Sequence, residues 1–191
     1  VLAAIETMGV GHLDVLVLRW RSGEPPIQRP EWQRLWSLAE GLVAQGHVRM
    51  LALGNVGAGY LDYAVPTASQ VRPVILQNKL SIYFPGHYED GAPGTRGCTL
   101  ERASGKGLLL QAYGVSSAAP GLLAPADDVH ARAVAKRHGV TPEQVLYAWA
   151  FQLGAAVLVD GADAVGQEAA EAALSAAPLP TGDMRLLSGL A

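Results

Sequence analysis

The chain has one cysteine, two phenylalanines and no surplus of positive charge, and each scarcity removes a class of protein. A lone Cys98 cannot close an internal disulfide, so this is not a small secreted module built on crosslinks. With no histidine near it in sequence, Cys98 reads as a small packing residue rather than a nucleophile. Fourteen Lys and Arg stand against seventeen Asp and Glu, for a net charge of -3. That balance offers no basic face to nucleic acid. No basic segment followed by an apolar run opens the chain, so no secretory signal is read. The most apolar stretch, Val145 to Val159, is broken by Gln152 and Gly154. It falls short of the ~20 apolar residues that a membrane-spanning helix needs. The chain therefore reads as a soluble, non-secreted protein of the cytoplasm or an organelle, without membrane insertion. His12, His47, His87, His130 and His138 fall at mismatched spacings, which argues against a metal site.

What is present points to a folded core. Half of the residues are hydrophobic, only 16% are charged, and mean hydropathy is +0.19. A length of 191 residues suits one well-cored domain, residues 1–191, and is short for two. The first residue is Val1 rather than methionine, and Val1 to Met8 reads as the tail of a helix already under way. We expect the chain to be a portion of something longer.

The pattern alternates strands and helices. Leu13–Leu18 is apolar apart from Asp14, as a strand buried on both faces requires. After a Gly/Pro-rich loop, Ser22 to Pro30, a helix carries Trp32, Leu35, Trp36, Ala39, Leu42 and Val43 on one stripe. Pro30 starts it and Gly46 ends it. Val48–Leu53 is the second strand, Gly54–Gly59 a loop, and Tyr60–Val71 a helix that Pro66 begins or interrupts. Pro73–Gln77 and Gly107–Tyr113 are the third and fourth strands, flanking an irregular Pro85–Gly97 stretch. Helices follow over Asp127–His138 and from Thr141, where Thr141 and Gln144 form a capping box around Pro142. Ala155–Val159 is a fifth strand, Val165–Ala176 a helix, and Leu179–Leu190 a short mixed tail. Five strands alternating with helices mean an α/β fold with a parallel sheet.

Two motifs invite a functional reading and fail it. Gly54, Gly57 and Gly59 follow a strand, but their spacing is G-x-x-G-x-G. No acidic residue closes a second strand about twenty positions on, as a dinucleotide ribose would require. Asp127–Asp128 is better read as a negative helix start than as a catalytic pair.

Several segments in register carry a stronger signal. Asp14 to Trp20 is similar to a "D-x-L-x-H-W" strand, and Val48-Arg-Met-Leu-Ala-Leu-Gly-Asn55 to "V-R-x-I-G-V-S-N". Val74-Ile-Leu-Gln77-Asn78 is similar to a "Q-x-E/N" strand, and Gln111-Ala-Tyr113 to "A-Y-S-P". Thr141-Pro-Glu-Gln-Val-Leu-Tyr-Ala-Trp149 is similar to "T-P-A-Q-V-L-L-R-W", while Val157-Leu-Val-Asp-Gly161 sits at "V-I-P-K-S". Together these resemble the aldo-keto reductases over nearly the whole chain. The resemblance implies a TIM-type (β/α)8 barrel in which this chain supplies roughly strands 4 to 8. Functional loops then lie at the C-terminal strand ends.

The resemblance also implies chemistry that these residues do not reproduce. The family reduces carbonyls with a nicotinamide and uses a tyrosine acid, a lysine, an aspartate and a histidine. The first three belong to strand units absent from this sequence, and Arg19 stands at the histidine's position. An arginine is permanently charged and larger than imidazole. It serves either as an anion-binding or substituted orienting group, or as the remnant of a decayed site held by a salt bridge. The second reading is the one adopted. Where the family places Lys-Ser against the adenosine 2′-phosphate, Asp160-Gly161 would repel it. Asn55, Gln77 and Tyr113 match residues around the family's nicotinamide and are the candidate cofactor-binding set, though a vestigial structural role serves them equally. No catalytic residue is intact, no metal is expected, and no cofactor is expected unless those three still hold NADP or NAD. Five strands of an eight-stranded barrel leave open edges that other protein chains would cover. The expectation is an aldo-keto-reductase-like pseudoenzyme acting as a structural or regulatory subunit of a protein assembly. The alternative is an active NAD(P)H-dependent aldehyde or ketone reductase whose catalytic N-terminal strands lie outside the sequence.

Overall fold

The computed structural model describes residues 1–20, 29–57, 61, 64, 70–84, 98–118, 121–159 and 164–190. Helix α1 (Leu2–Met8) leads into β1 (Leu13–Arg19), α2 (Arg29–Ala44) and β2 (Val48–Gly54). Then come β3 (Ile75–Lys79), α3 (Cys98–Gly105) and β4 (Leu109–Tyr113). The chain continues through α4 (Val129–His138), α5 (Pro142–Gln152), β5 (Ala156–Leu158), α6 (Ala164–Ser175) and α7 (Thr181–Ser188). Among the described residues the five strands form one sheet in sequential order, β1-β2-β3-β4-β5, with every pairing parallel. Short strands joined by helical crossovers leave few other arrangements, because parallel neighbours need a connection long enough to return.

Strand alternation divides the sheet into two faces. Leu51, Leu53, Leu76 and Leu110 are buried on the helix side, where they join Trp32, Trp36, Leu146 and Trp149 in the core. Burial of each such side chain contributes about 1.5–3 kcal/mol. The other face carries the exposed Met50 and Leu109 below a polar row, and the exposed Leu158 level with Tyr113 at the C-terminal strand ends. Trp20, just past β1, meets Trp32 edge-on at 5.8 Å, and Trp32 meets Trp36 at 5.7 Å. The Trp36 indole N–H donates to the Val71 carbonyl (3.1 Å). This aromatic column seats α2 against the end of β1 and holds the backbone that carries Arg19.

Several expectations shift by a few residues. The third strand begins at Ile75, not Pro73, and runs on to Lys79. The polar run Gln77-Asn78-Lys79 does not end it because the Asn78 side chain is satisfied on the helix side. Its amide oxygen accepts from Val56 N (3.2 Å) and its NH2 donates to Val56 O (2.8 Å). The fourth strand starts at Leu109 rather than Gly107. Asp128 caps α4, accepting from His130 N and Ala131 N, and Pro125–Asp127 form a 3-10 turn before it. The capping box at Thr141 and Gln144 forms in both directions (3.3 and 2.9 Å). Helix α3 was not anticipated, and the tail expected to be mixed contains α7. Most of the Tyr60–Val71 helix, the Pro85–Gly97 stretch, residues 22–28 of the first loop and Asp160-Gly161 lie outside the described residues.

The tail is fixed by polar contacts that its composition conceals. The Gln152 amide bonds both backbone groups of Leu179 (3.2 and 2.7 Å), and the Trp149 indole N–H donates to Ser188 Oγ (3.0 Å). Asp183 in α7 ion-pairs with Arg137 and with His138 (2.7 Å) at the end of α4. The His138 hydrogen bond, aided by Arg137, holds the Asp183 carboxyl below its ordinary value. A depressed carboxylate adds stability above its unfolded pKa and loses it as pH falls through the folded one. We expect the urea midpoint of the native protein to drop below about pH 4, and Asp183→Asn to flatten that drop. Midpoints that fall in parallel for both proteins would show that this pair carries none of the pH dependence.

Candidate functional site

The C-terminal strand ends converge on Asn55. Register aligns Arg19 with Gly54, Gly54 with Gln77, and Gln77 with Gln111, so one row crosses four strands. One step further, Lys79 pairs with Tyr113 and Tyr113 with Leu158. Asn55 follows β2 with φ of 53°, a left-handed conformation that asparagine tolerates better than most residues. Its backbone N–H donates to Gln77 O (3.1 Å), and its side-chain NH2 donates to Trp20 O (3.0 Å). Its side-chain oxygen accepts from the Tyr113 hydroxyl (2.6 Å) and from Arg19 Nη2 (3.3 Å). One buried amide thus joins the ends of β1, β3 and β4.

Arg19 lies over Tyr113, with Cζ 4.7 Å from the ring centroid. The salt bridge expected at Arg19 is not found among the described residues; a neutral amide and an aromatic face hold the guanidinium instead. Gln77 donates to Gln111 Oε1 (2.8 Å) in the same row. Of the four residues singled out in the sequence, Arg19, Asn55 and Tyr113 are brought into direct contact. Gln77 reaches them through its backbone carbonyl.

Gly54 makes room for this packing. A Cβ at that position would lie 2.9 Å from Val17 Cγ1 and 3.0 Å from Arg19 Cγ. Any larger residue would have to displace Val17 as well as the arginine stem. Beside this cluster opens a cavity of ≈ 450 Å³, lined by Arg19, Lys79, Tyr113, Ser116, Leu158 and Val159 among others. Ser116 Oγ and the Tyr147 hydroxyl are hydrogen-bonded (2.8 Å) at its wall. Lys79 was missed in the sequence, although it stands two residues beyond Gln77 and therefore on the same face of β3. Among the described residues no three His, Cys, Asp or Glu side chains gather as a metal site would require.

No family model matches the chain. It is 25% identical over 162 residues to an aldo-keto reductase of Mycolicibacterium smegmatis, covering 82% of this chain and 48% of that protein. An aldo-keto reductase structure from Brucella melitensis superposes with a TM-score of 0.75 at 16% identity, covering 99% of this chain and 65% of that one. A putative 2,5-diketo-D-gluconic acid reductase B superposes at 0.78 with 20% identity, covering 98% and 60%. The chain is similar to the aldo-keto reductases. It spans about half the length of the curated relatives it matches. Its five-stranded parallel sheet has the fold of the corresponding part of a solved aldo-keto reductase barrel. No helix among the described residues is long and apolar enough to cross a membrane.

At these strand ends, Asn55 carries the side-chain hydrogen bonds to Trp20, Arg19 and Tyr113. Asn55→Ala leaves the Trp20 carbonyl and the Tyr113 hydroxyl without their partners, each in a buried or half-buried setting. We expect it to destabilise the protein by about 1–3 kcal/mol in urea unfolding. A change below about 0.5 kcal/mol, the usual range for surface substitutions, would show that the amide does not tie the strand ends.

Proposed function

We propose that this chain is the C-terminal part, strands 4 to 8, of an aldo-keto-reductase-like barrel that no longer reduces carbonyls. It forms a single domain over residues 1–191 and serves as a structural or regulatory subunit of a protein assembly. The observation that carries the reading is the Arg19 guanidinium on the Tyr113 ring. A nicotinamide in this fold would need that aromatic face, the Asn55 amide and the Gln77 amide. Arg19 covers the face, Asn55 Oδ1 already accepts two hydrogen bonds, and Gln77 is bonded to Gln111. As they stand, these residues do not fit the ring and support no hydride-transfer step. The exposed Met50 and Leu109 are compatible with the second half of the reading. In an intact barrel that face is filled by side chains from the remaining strands, or it needs a partner's.

A second reading, an active NAD(P)H-dependent reductase, is favoured by one observation. Asn55 bonds both Gln77 and Tyr113, and Tyr113 lines the cavity, so the three stand together as a cofactor-binding set would. Titration of the full-length protein with NADPH and with NADH, read by quenching of tryptophan fluorescence, separates the two, because Trp20 adjoins Arg19. We expect no saturable quench up to about 1 mM, a dissociation constant corresponding to only ~4 kcal/mol of binding. The double variant Arg19→His, Gly54→Ser should regain a saturable response. Saturation of the native protein at micromolar cofactor, with aldehyde-dependent NADPH oxidation, would overturn the pseudoenzyme reading.

A further inference from the structure

The cavity beside Tyr113 has a charge character of its own. Two permanent or near-permanent cations, Arg19 and Lys79, line the same space. Among the described residues neither forms an ion pair, and no acidic side chain lines the cavity. Each is held instead by an aromatic ring. The Lys79 ammonium sits 4.4 Å from the Phe84 centroid, and the Arg19 guanidinium 4.7 Å from that of Tyr113. The Lys79 stem passes Gly114, where a Cβ would stand 3.7 Å from Cγ and Cε. Rings position a cation without neutralising it. Two like charges facing one cavity repel, and a single anion between them turns that repulsion into two attractions.

We propose that this cavity binds a monocarboxylate with an apolar body, its carboxylate gripped by Arg19 and Lys79. The planar guanidinium fork matches a carboxylate in two-point geometry, and the lysine adds a second, mobile donor. Leu158, Val159 and Val115 supply the apolar wall for the rest of the molecule. The volume of ≈ 450 Å³ lies within the range of small-molecule sites and exceeds what a simple inorganic anion needs. The anion then occupies space that Arg19 has closed to a nicotinamide, so the proposal rests on the occlusion reading given above.

The probe is 3-phenylpropionate, with 3-phenylpropionamide as its neutral counterpart. Binding to the full-length protein is followed by saturation-transfer NMR and by calorimetry. We expect the carboxylate to bind with a sub-millimolar dissociation constant and the amide at least about tenfold more weakly. Lys79→Met and Arg19→Gln should each weaken the carboxylate by at least about tenfold, with the thermal transition of each variant confirming that it is folded. Equal binding of acid and amide, or affinity unchanged in Lys79→Met, overturns the site. So does inorganic phosphate that displaces the probe at equal concentration. The NADPH titration is run in parallel. Charge-dependent carboxylate binding together with saturable NADPH binding keeps the anion site and removes the occlusion reading. No carboxylate binding and no NADPH binding removes the anion site alone.

Discussion

The arrangement at the strand ends depends on the Asn55 side chain more than on any other group. Parallel strands are joined along their length by backbone hydrogen bonds, but those bonds run out at the C-terminal ends, where the chain turns away. There the Asn55 amide takes over: it donates to Trp20 beyond β1 and accepts from Tyr113 at the end of β4. Its backbone N–H meanwhile binds Gln77 on β3. A buried amide is tolerated only where its donors and acceptors are used, and here both ends are used. The left-handed φ is the cost of that geometry, which explains an asparagine at this position better than packing does.

Gly54 and Arg19 are then one feature rather than two. The register sets them side by side on adjacent strands, and the missing Cβ at 54 is the space in which the arginine stem lies. Taken separately, the two residues look like independent departures from the family pattern. Taken together, they are complementary in space, the glycine leaving room that Val17 and the arginine stem fill. The large side chain brings a charge to Tyr113, so packing between β1 and β2 bears on the electrostatics at the end of β4. Here the arginine is seated, stacked and hydrogen-bonded.

The strands and most helices were legible because their signals are local. Leu13–Leu18 and Val48–Leu53 are apolar runs, and Thr141-Pro142 with Gln144 spells out a helix start. What escaped depends on distant partners. Asn78 looks like the end of a strand until Val56 is seen bonding its amide on both sides. Helix α7 is short and mixed in composition; Gln152, Arg137 and His138, dozens of residues away, fix it in place. At the candidate site, Arg19, Asn55, Gln77 and Tyr113 could be named from motifs, but their mutual contacts could not. The sequence suggested a salt bridge for Arg19, since carboxylates are the common partners of arginine. No spacing rule announces an asparagine and a tyrosine ring from two other strands.

Lys79 shows how far a simple rule could have gone. Side chains two apart on a strand share a face, so a cofactor-facing Gln77 commits Lys79 to the same direction. Its partner in register is Tyr113, the residue that Arg19 covers, which draws both cations to one opening. Two cations with no acid partner among the described residues, each braced against an aromatic ring, face one opening, and the exposed Arg19 leaves its charge within reach of an incoming anion. A negative group between them would turn their mutual repulsion into two attractions, which is the physical basis of the carboxylate site proposed above.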